Sequence, residues 1–162
     1  MSAADLLKQL EGKGLKLAIA ESLTGGMLCS ELVSVAGASN VVLGSVVAYQ
    51  TGLKASALGV NPQLLESNGA VDPEVAVQMA EGIRSRMSLQ LLLATDRVIG
   101  VSTTGVAGPD EQDGKPVGTV FIAVAGVHGV KVWEEHFSGN RAAIRNLSVS
   151  AAIAHIGEYL AR

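Results

Sequence analysis

The side chains with chemistry to offer sit at corners of this chain. In "LKLAIAESLTGGMLCSELV", residues 15–33, an apolar run ends at Glu21-Ser22, and Gly25 and Gly26 then open a helical pattern. A hydroxyl at such a strand-to-helix corner admits two readings. Ser22 or Thr24 can cap the helix that begins near Gly25, its oxygen accepting from a free backbone N–H. Alternatively Ser22 is a nucleophile, with the exposed N–H groups and the positive dipole end of that helix beside it as an oxyanion site. A serine nucleophile needs a base, and no Ser-His-Asp arrangement is suggested: His128 falls in a hairpin turn, His136 in a strand and His155 late in a helix. Neither G-x-S-x-G nor S-x-x-K is present, the residue three after Ser22 being Gly25. What remains is Tyr49 and Lys54, five apart. A lysine beside a serine in a poorly solvated site can have its pKa lowered enough to act as base, and a tyrosine can relay or donate a proton. Both also have plain alternatives, Tyr49 as a ring at the edge of the core and Lys54 as a solvated charge.

Rival chemistries fail on spacing. Tyr and Lys four apart would suggest a short-chain dehydrogenase, but here they are five apart and no G-x-G-x-x-G follows the first strand. "GVAGPDEQDGKP" contains no G-x-x-x-x-G-K-[ST], which argues against a phosphate-binding NTPase loop. His, Cys and clustered acids never take metal-ligand spacing, and Asp110, Glu111 and Asp113 read as a solvated loop, so neither metal nor cofactor is expected.

The elements that must position these groups alternate along the chain. Residues 3–11 read as a helix with Leu6, Leu7 and Leu10 on one face; 15–20 as a short apolar strand; 25–36 as a helix; 41–50 as a Val-rich strand. Asp72-Pro73-Glu74 starts a further helix, with Asp as N-cap and Pro at the first helical position, followed by Val75, Met79 and Ile83 at a spacing of four. Residues 97–103 form a third strand, and 117–125 with 130–137 an antiparallel hairpin around Gly126-Val127-His128-Gly129. A last helix runs from about residue 141. This order predicts an α/β fold, a three-layer α/β/α domain on a mixed, mostly parallel sheet of about five strands. Ligands of such sheets sit outside the carboxyl ends of the strands, where three loops are expected: Glu21 to Gly26, Tyr49 to Lys54, and Thr103 to Pro109.

Composition sets the outer bounds. The 162 residues are expected to form one domain, 1–162, rich in Ala, Val, Leu and Gly for close-packed layers, with 48 % apolar and 3 % aromatic residues. A net charge of −3 and so few aromatics argue against nucleic acid as a partner. Cys29 stands alone, a packing residue in a chain suited to a reducing cytoplasm. No segment reaches the ~18 apolar residues of a membrane span, and the N-terminus does not read as a leader, so an unprocessed chain without membrane partners is expected.

Five segments, "AESLTGG", "AYQTGLKASALGV", "GAVDPEVAVQMAEG", "TTGVAGPDEQDGKPVGTV" and "FSGNRAAIR", occur in an order and at separations similar to the CinA C-terminal domain family, over about residues 4–160. The family's enzymatic members are nicotinamide-nucleotide amidases, also called nicotinamide mononucleotide deamidases. The resemblance implies hydrolysis of the carboxamide of nicotinamide mononucleotide to nicotinate mononucleotide and ammonia, in a cytoplasmic homo-oligomer. It places the family's nucleophile on Ser22, its tyrosine and lysine on Tyr49 and Lys54, its substrate-side threonine and glycine on Thr104 and Gly105, and an arginine on Arg141. With those assignments Lys54 takes the serine proton, Tyr49 helps pass a proton to departing ammonia, and N–H groups near Thr24, Gly25 and Gly26 hold the oxyanion. Arg141, at a helix start, would seat the phosphate. Glu21 either orients Lys54 or Tyr49 or is a solvated turn residue. The chain departs from many relatives in "QTG" after Tyr49, where a Glu near the lysine is absent, and in Asn140, where an acid is common. Two other classes stay open: a catalytically silent nucleotide-binding or regulatory module, and a serine-lysine amidohydrolase of another small amide.

Overall fold

In the computed structural model, which describes residues 1–161, helices and strands alternate as α1 (Ala3–Gly12), β1 (Lys16–Glu21), α2 (Met27–Val33), β2 (Val42–Val47), α3 (Thr51–Leu58), α4 (Pro62–Asn68), α5 (Pro73–Gln90), β3 (Val98–Gly105), β4 (Thr119–Gly126), β5 (Gly129–His136) and α6 (Arg141–Leu160). The strands form one sheet in the order β2-β1-β3-β4-β5. β1 is parallel to both β2 and β3, whereas β3–β4 and β4–β5 are antiparallel. The carboxyl ends of the three parallel strands lie side by side, Glu21 pairing with Val47 on one side and Thr103 on the other.

The alternation of side chains in the central strands divides the core in two. Leu17 and Ile19 of β1, Ile99 and Val101 of β3 and Val120, Ile122 and Val124 of β4 pack with α1, α2 and α6. The opposite face is built of smaller residues. Ala18 and Ala20 meet Val75, Met79 and Ile83 of α5, and Ala123 and Ala125 meet Ala76 and Ala80 of the same helix. Helices thus cover both faces, which is the three-layer α/β/α arrangement. Among the described residues no helix is long and apolar enough to cross a membrane.

Four expectations change. The helix read over 25–36 is confined to Met27–Val33, because Gly25 and Gly26 are spent on the turn into it. The strand read over 41–50 ends at Val47. Two short helices, α3 and α4, follow it, so Lys54 is helical rather than part of a loop. Likewise Thr103 to Gly105 belong to β3, which the pairing of Gly105 with Val120 prolongs.

Candidate active site

The first site loop begins where β1 runs out. The Ser22 N–H donates to Thr103 O at 3.0 Å, carrying the sheet one residue past β1 and fixing where the serine leaves it. Gly25 and Gly26 then turn the chain at φ of 60° and 95°, left-handed conformations that glycine adopts without a Cβ penalty. Neither Ser22 nor Thr24 caps α2, whose N-cap residue is Gly26 and makes no side-chain cap. The cap comes from Glu21. Its fully buried carboxylate accepts the N–H groups of Gly26 at 2.9 Å and of Leu28 and Cys29 at 3.1 Å, and the Ser45 hydroxyl at 3.0 Å. An anion at a helix start is held by the free N–H groups and by the dipole. Glu21 therefore touches neither Lys54 nor Tyr49 and is not solvated, which corrects both expectations for it.

This cap moves the oxyanion site. The Gly26 N–H is taken by Glu21, and the Gly25 N–H donates to Ser22 O at 3.1 Å. Among the described residues the N–H groups of Leu23 and Thr24 make no hydrogen bond. Of the three residues expected to supply the oxyanion donors, only Thr24 keeps a free N–H, and Leu23 joins it.

The released Ser22 hydroxyl faces Lys54. Lys54 Nζ donates to Ser22 Oγ at 2.9 Å and to Ala48 O at 2.8 Å. Lys54 and Leu58, four apart, are the buried residues of α3, so the lysine stem is gripped by the same packing that docks the helix. The side chain is 1 % exposed and no carboxylate pairs with it among the described residues. Burial alone pushes its pKa from 10.5 down to about 8.

A cleft of about 250 Å³ opens over this pair, and Ser22, Tyr49, Lys54, Thr104, Gly105 and Arg141 all reach it. Tyr49 and Arg141 form its rim. Arg141 donates through Nη2 to the Tyr49 hydroxyl at 2.8 Å and through Nη1 to Gly108 O at 2.6 Å. No hydrogen bond links Tyr49 to Ser22 or Lys54 among the described residues, so the proton hand-off expected of it has no contact here. Thr104 Oγ1 is committed to Ala70 O at 2.7 Å. Gly105 leaves no room for a side chain, since a Cβ would lie 2.6 Å from Thr119 O. Thr24, whose hydroxyl meets that of Thr103 at 2.8 Å, stands behind the cleft with Glu21, Gly25 and Gly26. These four build the corner without lining the cavity.

Sequence reasoning missed Asp110 and Gln112, which line the cleft, and Arg145, one helical turn beyond Arg141. Arg145 donates through Nε to Leu23 O at 2.9 Å and through Nη2 to Thr24 O at 3.0 Å. The i, i+4 spacing of the two arginines in the first turns of α6 is the signal that would have found it. The histidines take no part. His128 is in the β4–β5 turn, His136 pairs with Glu134, and His155 lies between Glu135 and Glu158, stacked on Trp133. Among the described residues no group of three or more His, Cys, Asp or Glu side chains is placed to hold a metal.

Fold and site together define a class: a three-layer α/β/α protein with a buried serine-lysine pair at the carboxyl end of its parallel strands. The chain belongs to the CinA family, whose C-terminal domain model matches residues 1–160. It is 43 % identical to a CinA-like protein of Frankia casuarinae over 145 residues, 90 % of this chain and 32 % of that protein. A CinA-like protein of Acidobacterium capsulatum is 40 % identical over 91 % of this chain and 34 % of its own length. The chain thus spans about a third of the length of the curated relatives it matches. Among solved structures, the competence/damage inducible protein CihA from Agrobacterium tumefaciens is similar at a TM-score of 0.87 and 32 % identity, covering 99 % of this chain and 93 % of that one. A CinA superfamily protein from Escherichia coli is similar at a TM-score of 0.88 and 30 % identity, over 97 % and 87 %.

Proposed function

We propose that this cleft hydrolyses the carboxamide of nicotinamide mononucleotide, giving nicotinate mononucleotide and ammonia. One observation carries the reading: the buried, anion-free Lys54 amine 2.9 Å from the Ser22 hydroxyl. Uncharged, that amine accepts the serine proton as Oγ attacks the amide carbon. The new C–O bond leaves a negative oxygen, which the Leu23 N–H, free and on the cleft wall, stabilises. The resulting Lys54 ammonium returns the proton to nitrogen as the C–N bond breaks, and ammonia leaves. Water then attacks the acyl-serine, again giving its proton to Lys54, and the carboxylate is released with Ser22 restored. Amide and water become carboxylate and ammonium: Lys54 carries the serine proton to the leaving nitrogen and one water proton back to Ser22, and the acid's remaining proton goes to the released ammonia.

The rim supplies the other end of the substrate. Arg141 spends one N–H on Gly108 and one on Tyr49, and the remaining guanidinium donors, at the first position of α6, suit a phosphate. Because the Tyr49 oxygen accepts from Arg141, its own O–H is free for the substrate. The active form in this reading is a homo-oligomer in a reducing cytoplasm, the assembly being tested by a mass measurement in solution.

The experiment is ammonia release from nicotinamide mononucleotide by the purified protein, beside Ser22→Ala and Lys54→Ala. Release that falls by about 10³-fold or more in both variants is the expected result. A folded protein that binds the mononucleotide and releases nothing is instead a silent binding module. Equal turnover of an amide lacking the 5′-phosphate would make it a hydrolase of another small amide.

A further inference from the structure

The two free N–H groups at the corner belong to peptide planes that are held from their far sides. Ser22 O accepts from Gly25 N–H, and the Leu23 N–H shares its peptide. Leu23 O accepts from Arg145 Nε, and the Thr24 N–H shares that one. Among the described residues the peptide bonds other than Gly108-Pro109 are trans, so in this corner each N–H points opposite to the carbonyl of its own unit. Capture of Leu23 O by Arg145 therefore turns the Thr24 N–H away from the arginine, and the second bond, Nη2 to Thr24 O, stops the next peptide from rotating. The guanidinium fork is spent on these two carbonyls, with no carboxylate partner among the described residues. Gly25 makes room for it, since a Cβ there would sit 3.2 Å from Arg145 Nη2.

We infer that Arg145 is a positioning residue: from behind the Ser22 loop it holds the Thr24–Gly25 peptide, whose Gly25 N–H bonds Ser22 O, and so sets the orientation of the Leu23 N–H that receives the oxyanion. The inference rests on the reading of Ser22 as a nucleophile. A mere tether would support stability and leave the balance of kcat and KM alone, whereas an oxyanion-positioning group acts only as negative charge develops on oxygen.

The test compares Arg145→Met and Arg145→Lys with the unaltered protein in two assays. One is kcat and KM for ammonia release from nicotinamide mononucleotide. The other is the rate at which a fluorophosphonate labels Ser22, read by intact mass. In that labelling Oγ–P forms, P–F breaks, fluoride leaves, the serine proton passes to Lys54, and the phosphoryl oxygen occupies the oxyanion position. Arg145→Met is expected to lose about 10²-fold in kcat with KM within about threefold, and to slow labelling comparably; Arg145→Lys recovers part of both. Rates within about threefold of the unaltered protein in a folded Arg145→Met overturn the inference, as does a raised KM at unchanged kcat. If Arg145→Met does not fold, Arg145→Lys decides, an undiminished labelling rate counting against the role. A protein that labels at Ser22 yet releases no ammonia from the mononucleotide sinks the amidase reading, and the labelling ratio still decides the role of Arg145. A protein that neither labels nor releases ammonia overturns both.

Discussion

Lys54 is a cation stored where no anion waits for it, and that one placement governs how both activity and stability respond to pH. On the proposed role of Lys54 as the base, turnover needs the uncharged amine, so kcat/KM is expected to rise as pH passes about 8 and to level off above it, as a pH–rate profile will show. Stability follows the same proton. In the folded protein the amine gives it up near pH 8, in the unfolded chain near 10.5. Between those values the unfolded chain binds the extra proton, so the contribution of this residue to stability rises with pH across that window. Below about 8 the folded state carries the full penalty of a buried charge, on the order of 3 kcal/mol. Lys54→Met is therefore expected to abolish turnover yet raise stability at pH 7 by about 1–2 kcal/mol, after allowance for the lost bonds to Ser22 and Ala48. Urea unfolding at pH 7 and at pH 10 checks this, the variant's advantage shrinking at the higher pH. The nearness of Ser22 and Lys54 was only one of two readings open in the sequence, beside a helix-cap serine and a solvated lysine, and it was the resemblance to the CinA family that assigned the two residues as nucleophile and base. The capping role of Glu21 was not legible. A glutamate closing an apolar strand looks solvated until the folded chain brings the start of α2 over it.

Among the elements, α2 depends most on a residue outside itself. Its first-turn N–H groups point at one carboxylate, Oε2 taking Gly26 and Leu28 while Oε1 takes Cys29 and the Ser45 hydroxyl. Glu21→Gln keeps the shape but turns an NH₂ donor toward one of those donor pairs. It is expected to lower stability by about 2–3 kcal/mol in urea titration, and to lower activity through the shifted corner. The two helices that sequence reading missed differ in kind. Asn61-Pro62 before α4 repeats the cap-and-proline signature that revealed α5 at Asp72-Pro73, so α4 was readable. By contrast, α3 opens with Thr51 and Gly52, lacks a side-chain cap and is eight residues long. Its own propensity is poor, and burial of Lys54 and Leu58 against the rest of the molecule is what holds it.

Across the whole molecule, α6 joins loops that the sheet leaves separate. Arg141 reaches Tyr49 and Gly108, and Arg145 reaches Leu23 and Thr24, so all three loops at the carboxyl edge are tied to one helix. That helix is itself anchored in the core by Ile144, Ile153 and Ile156. Activity and far-UV circular dichroism are accordingly expected to vanish in one denaturant transition. Ile156→Ala, in the core about three turns along α6 from Arg145 and outside the cleft lining, should destabilise by about 2–4 kcal/mol and move both midpoints together. Activity lost at lower denaturant than helicity would show that the cleft opens on its own. The layers and the parallel β2-β1-β3 core were legible because each strand reads as a short apolar run between turn signals. The ties were not, because they join residues far apart in sequence.

Those separations also order events in time. Ser22 and Lys54 are 32 residues apart and can meet early, whereas the bonds from α6 close over 33, 92, 121 and 122 residues. On the ribosome, where the chain emerges from its N-terminus, Ser22 and Lys54 are synthesised long before the helix whose arginines tie the surrounding loops. The ties of Tyr49, Gly108, Leu23 and Thr24 therefore close only once α6 has been made and docks, after every loop they join.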